Sequence, residues 1–472
     1  MSLKRIVVTL RPTFGGGGPQ VFLDKAPFEF ADAQEARPFA GEPPTAATWT
    51  SADAVMHYGR ELCQALTQHP AIAQLLQMLT PATQVTPIYF NFQKVADAEQ
   101  LYWEALYDDA KGTFFALDRR WPIGRIADET ATTVQSFYKF EGRLRLAAVL
   151  SALGVPAAAE WQNLRQAIDA ARTALPIDLL LLVGEEALQN EIQAEIATGA
   201  LQGVTVKSLA DTVDELEIAI DDFKPHLLHF FCHGAVSLGF SRLEVATTLN
   251  WARDDTESSL VLTAEQLLAL PAMRQVWLVV LNCCQGGAGT SQLYSMAHTL
   301  VARGTPAAVG MLEPIAAVDA HRFCAGFYPA LFREISQALA QPDDGMPVPI
   351  EWSLPLRAAR IRLHSGVDPK SERTWALPVL YARPELFLVV RVLPPVAPPS
   401  PPITPGQPLP PPPNLEFALE EMLERAQEVA NFLRSRPEDT PISVREEALK
   451  ILDEPPAVPQ KLRPDLFGKF RE

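Results

Sequence analysis

The chain has 472 residues, enough to bury one large core or two medium ones, and its 48% hydrophobic and 20% charged residues exclude wholesale disorder. A net charge of −16 argues against nucleic acid or an anionic membrane surface as the partner, because phosphate binding needs clustered Lys and Arg. The opening MSLKRIVVTLRP is too short an apolar run for a secretory signal, no stretch reaches membrane-spanning length, and five cysteines with two adjacent do not make a disulfide framework, so a cytoplasmic chain with reduced thiols is expected.

Arg5 to Leu10 alternates as a strand, turns through Gly15 to Gly18 and resumes at Gln20 to Leu23, a hairpin pattern. Those glycines are no phosphate cradle, since neither Lys-Ser nor Lys-Thr follows and no helix opens there. From Ser51 to Met78 apolar residues recur at helical spacing, with a break expected near Pro70. A strand follows at Pro87 to Phe92, and residues 102 to 126 (YWEALYDDAKGTFFALDRRWPIGRI) read as a short helix, a turn at Lys111-Gly112 and an extended segment.

The pattern then becomes regular. Apolar runs of strand length at Asp178–Val183, His226–Cys232, Val276–Asn282 and Ala307–Leu312 alternate with helical patterns at Glu185–Ala197, Thr212–Phe223, Ala264–Leu268 and Gln292–Arg303. Fully apolar strands between helices predict an α/β fold whose mostly parallel sheet is sandwiched by helices, with functional groups at the C-terminal strand ends. After Val392 the composition changes: 12 of the 20 residues from Pro394 to Pro413 are proline. A linker over 394–413 would favour polyproline II and could hold the next segment up to roughly 60 Å away. That segment, 414–472, reads as a helical tail in which Leu415, Leu419, Met422, Ala426, Val429 and Leu433 form a heptad seam.

Two strand ends carry chemistry. HLLHFFCHG (226–234) ends an apolar strand in His-Gly, and VWLVVLNCCQGG (276–287) ends another in a cysteine pair followed by glycines. A thiol becomes a strong nucleophile when an imidazole takes its proton, and adjacent glycine lets backbone N–H groups approach a developing oxyanion. Asn282-Cys283-Cys284-Gln285-Gly286 fits the caspase nucleophile pattern Gln-Ala-Cys-[Arg/Gln/Gly]-Gly, with Asn for Gln and Cys for Ala; His233 stands about 50 residues upstream, as that pattern requires. His233 is therefore the candidate base and Cys284 the candidate nucleophile. His229, four residues before His233, would sit about 13 Å away along a strand and does not suggest a zinc pair. Cys232 and Cys283 alternate to the opposite face and read as core, as do Trp103, Phe114 and Phe115; His321 and Cys324 share a helical face and read as packing.

With these segments in order, joined by LVARGTPAAVGM (300–311), AHRFCAGFYPALF (320–332) and ALPVLYARPELF (376–387), the chain resembles the CHAT-domain proteins, the bacterial branch of caspase-like cysteine peptidases that includes separase-like enzymes. The resemblance spans roughly residues 1–393. It implies a non-catalytic pseudo-caspase half over 1–150 packed on a catalytic domain over 151–393, with the 414–472 tail outside it. It further implies peptide-bond hydrolysis through a thioester, an oxyanion hole from the backbone N–H groups of Gly234 and Cys284, no third acidic residue, and neither cofactor nor metal. Basic-specific relatives often carry Asp two residues before the nucleophile, where this chain has Asn282; Glu313 at the next strand end is the alternative lining of the substrate pocket. Family members act as regulated, selective proteases in bacterial immunity or programmed cell death, some releasing gasdermin-like partners, so a protein substrate and a regulatory partner at 414–472 are expected. The competing expectations are a catalytically inactive adaptor that recruits partners through its proline arm and tail, and a nucleotide-binding α/β protein, which lacks a phosphate loop.

Overall fold

The computed structural model describes residues 4–13, 18–80, 85–127, 137–237, 240–253, 259–285, 293–340 and 346–392. The chain divides into two units, Met1–Pro394 and Pro395–Glu472. Most of the first glycine turn, the proline run and the heptad tail lie outside the described residues.

Chain order begins β1 (Ile6–Arg11), β2 (Gln20–Lys25), β3 (Arg37–Pro38), α1 (Ala54–Thr67), α2 (Pro70–Met78), β4 (Ile88–Phe92) and α3 (Ala96–Glu99). The break expected near Pro70 is the junction of α1 and α2, with Pro70 at the first helical position, where its missing N–H costs nothing. Next come a small hairpin of β5 (Tyr107–Asp108) and β6 (Thr113–Phe114), then β7 (Ile123–Ile126), β8 (Tyr138–Phe140), β9 (Leu144–Leu150) and α4 (Ala158–Ala171). The alternating region supplies β10 (Ile177–Val183), α5 (Glu186–Ala197), β11 (Val204–Ser208), α6 (Val213–Phe223) and β12 (Leu227–Phe231). It continues with β13 (His233–Ser237), β14 (Phe240–Val245), α7 (Thr248–Arg253), β15 (Leu260–Thr263), α8 (Ala264–Ala269), β16 (Leu278–Leu281), β17 (Cys284–Gln285), α9 (Leu293–Ala302) and β18 (Ala307–Met311). The unit closes through α10 (Ala317–Leu339), β19 (Val348–Ile350), α11 (Ser353–Leu363), β20 (Pro378–Ala382) and β21 (Phe387–Arg391).

Twelve strands form one sheet in the order β11-β10-β9-β12-β16-β18-β20-β7-β4-β1-β2-β3. Its pairings are parallel except β18–β20, β1–β2 and β2–β3. The sheet is continuous: β7, β4, β1, β2 and β3 lie on one side of the β20–β7 pairing, and β9, which ends at Leu150, lies on the other side between β10 and β12. β9, β12, β16 and β18 are buried along almost their whole length, which is why they read as unbroken apolar runs. The fold is thus mixed α/β with a large, mostly parallel central sheet flanked by helices.

A second sheet, β15-β14-β13-β17, grows from the C-terminal edge of the first. β12 stops at Phe231 and the chain resumes one residue later as β13; β16 stops at Leu281 and resumes at Cys284 as β17. These two neighbours leave the main sheet at the same level and stay paired. Their register offset is 278 − 227 = 51 in the main sheet and 284 − 233 = 51 beyond it.

Candidate active site at the fold line between two sheets

His233 and Cys284 are the first residues of the strands that leave the main sheet, and they are directly paired in the parallel ladder, as are Gly234 and Gln285. The residues just before them turn their side chains into the core. Cys232 and Cys283 are 0% and 1% exposed, with their sulfurs 3.6 Å apart.

The His233 side chain is held by the loop between β9 and α4. Its Nε2 lies 2.7 Å from the carbonyl oxygen of Leu153. A carbonyl only accepts, so Nε2 carries the proton and Nδ1 is the basic nitrogen of the neutral ring. The same bond would support the ring once it is positively charged, a task that a third carboxylate performs in other nucleophile–base pairs.

Asn282, two residues before Cys284, is fully buried. Its Nδ2 donates to Glu160 Oε1 at 2.7 Å and to the carbonyl of Ala320 at 2.9 Å. Glu160, on α4 and also fully buried, takes His321 Nδ1 on Oε2 at 2.9 Å and has His229 Nε2 3.2 Å from Oε1. Burial alone would raise the Glu160 carboxyl, but the adjoining His229 and His321 imidazoles outweigh it and hold the group below the ordinary carboxylate range. The packing role read for His321 is therefore a polar one, and the carboxylate it meets went unnoticed in the sequence.

Glu313 follows β18, the strand beside β16. Its carboxylate accepts from the Tyr102 hydroxyl and, at 2.6 Å, from Arg373, whose guanidinium lies over the Trp49 ring. Glu313, Arg373 and Trp49 line a cavity of about 480 Å³ together with Asp319 and Glu372. Among the described residues no group of three or more His, Cys, Asp or Glu is disposed to hold a metal, and no helix is long and apolar enough to cross a membrane.

Helices over a large, mostly parallel sheet, with a histidine and a cysteine paired at its C-terminal edge, define a caspase-like architecture. The CHAT domain is matched over residues 57–380, more than half of the chain, and the chain belongs to that family of caspase-like proteases. Two crystal structures of the separase–securin complex of Saccharomyces cerevisiae are similar at 12% and 11% identity, with TM-scores of 0.30 and 0.32. They cover 70% and 69% of this chain, which spans only 17% of the chain it matches in each. No curated protein matches.

Proposed function

We propose that this chain is a cysteine endopeptidase that cleaves a protein substrate with His233 as base and Cys284 as nucleophile. The observation that carries the reading is the direct pairing of those two residues at the fold line, with the imidazole anchored through Nε2 to a backbone carbonyl. Nδ1 of His233 takes the thiol proton as the Cys284 sulfur attacks the peptide carbonyl. The N–H groups of Gly234 and Cys284 receive the oxyanion. Collapse breaks the C–N bond, the leaving amine takes the proton from His233, and a thioester remains on Cys284. Water, deprotonated by the same imidazole, releases the acid and restores the thiol. The chemistry calls for neither metal nor cofactor.

The substrate cleft in this reading runs beside β16 and β18, with Glu313 lining the neighbouring cavity; Asn282, expected in the pocket, instead turns its amide inward to Glu160 and is fully buried. A protein substrate, gasdermin-like or another product of a neighbouring gene, fits a regulated role in bacterial immunity or programmed cell death. The 414–472 segment would bind a regulatory partner, and the compartment would be the cytoplasm. An electrophilic peptidyl probe tests the reading by mass-mapped labelling. Cys284 should be modified in the wild-type chain, and labelling should vanish in Cys284→Ala and fall steeply in His233→Ala. A wild-type chain that labels no better than Cys284→Ala would favour the inactive adaptor instead.

A further inference from the structure

One carboxylate ties together the parts of the molecule that carry the two reacting residues. Glu160 grips β12 through His229, which stands four residues before His233, and the end of β16 through Asn282, two residues before Cys284. It grips α10 through His321. Its own helix, α4, begins just after the loop whose Leu153 carbonyl holds the His233 ring. A buried charge needs donors; here the end of β16 and α10 supply them, with His229 of β12 3.2 Å away, so the relative placement of these elements is what keeps the carboxylate satisfied.

We propose that Glu160 is a positioning residue that sets the approach of His233 to Cys284, an inference that rests on the peptidase reading above. Its role in this proposal is indirect, through the residues it holds. Through Asn282 it fixes the strand end roughly 7 Å before the nucleophile, two residues at the usual strand rise. Through His229 it fixes the partner strand in register. Displacements of about 1 Å in a reacting pair can cost on the order of a hundredfold in rate, so a keystone at this place controls reactivity without joining the chemistry.

The groups facing Glu160 are His229 from β12, His321, Cys324 and Tyr328 from α10, and the neutral amide of Asn282 from the end of β16. Burial pushes the Cys324 thiol and the Tyr328 phenol well up, so both stay neutral near neutral pH. The two imidazoles are the polar neighbours closest to the carboxylate, at 3.2 Å and 2.9 Å.

The test is the rate of Cys284 alkylation by iodoacetamide as a function of pH in the full-length chain, read by peptide mass. Cys283→Ala serves as the common background, so that the adjacent thiol does not share the label. His233→Ala defines the profile of an unassisted thiol, which reacts only as pH rises toward about 8.5. Glu160→Gln keeps the side chain's shape and removes its charge. The proposal expects its alkylation near neutral pH to fall about tenfold and its pH midpoint to move up toward that of His233→Ala. Glu160→Asp, which keeps the charge but loses reach, should recover only part of the rate. A Glu160→Gln profile that overlays the background, even with a lower unfolding midpoint, reduces Glu160 to a structural role and overturns the proposal. A midpoint that moves to lower pH makes Glu160 a through-space charge rather than a positioner, and overturns it too. Should Glu160→Gln not fold, His321→Ala, at the partly exposed rim of the network, must show the same upward shift; an unchanged profile there overturns the proposal. If His233→Ala itself matches the background, it is the dyad that fails, and that result is distinct from any of these.

Discussion

Cys283 and Cys284 are adjacent in sequence. Cys283 is sealed in the core against Cys232, so its thiol has no route to a peptide. Cys283→Ala should keep most peptide hydrolysis and lose only about 1 kcal/mol of stability, the scale of a small core deletion. An inactive Cys283→Ala beside an active Cys284→Ala would show the nucleophile to be one residue earlier. Glu160 makes a different prediction. Its carboxyl is held down in the folded state, so its stabilising contribution is full above the unfolded carboxylate range and is lost as pH falls through the lower folded value. The stability gap between wild type and Glu160→Gln, measured by urea unfolding, should therefore narrow as pH falls below about 4.3, the unfolded carboxylate value. A gap that stays constant would mean that the charge contributes nothing. His233 and Cys284 stand out as candidates because each closes a strongly apolar run, His233 directly before Gly234 and Cys284 two residues before Gly286. Glu160 was not, because a single Glu on a helix gives no sign that it will be buried, and its partner Asn282 lies 122 residues away.

At the scale of elements, the strands that read most clearly are those buried on both faces. β10, β12, β16 and β18 fall within a residue or two of their apolar runs, since a strand covered by helices on both sides must be apolar throughout. The small sheet β13–β15 with β17 escaped the sequence reading. Its strands mix polar and apolar residues, and β17 is only two residues long, so its partner creates it rather than any local pattern. The register between β12 and β16 could not be read either, because a spacing of 51 residues includes three strands of that side sheet and two helices. In the 1–150 stretch the packing of α1 allows a sharp prediction. A Cβ added at Gly59 would lie 1.8 Å from the carbonyl oxygen of Ala105, a backbone atom that cannot step aside. Gly59→Ala would gain up to about 1 kcal/mol in helix propensity and lose about 1–3 kcal/mol to overpacking. The clash is severe enough to put the loss at the upper end, so a lowered thermal midpoint is expected; a raised one would mean that α1 sits further from residues 103–105.

At the scale of the whole molecule, the unit ending at Pro394 carries its own continuous core from Ile6 to Val389. A chain ending at Val392 should unfold cooperatively with nearly the full-length midpoint, and a severe drop would mean that 395–472 contributes to that core. The proline run was visible as composition, yet composition alone does not say what such an arm holds. The central claim, that His233 and Cys284 hydrolyse peptide bonds, is tested most directly by mapping new protein N-termini in cells expressing the wild-type chain or Cys284→Ala. The account predicts a narrow set of cleavage sites found only with the wild type and missing again in His233→Ala; identical N-termini in wild type and Cys284→Ala would contradict it.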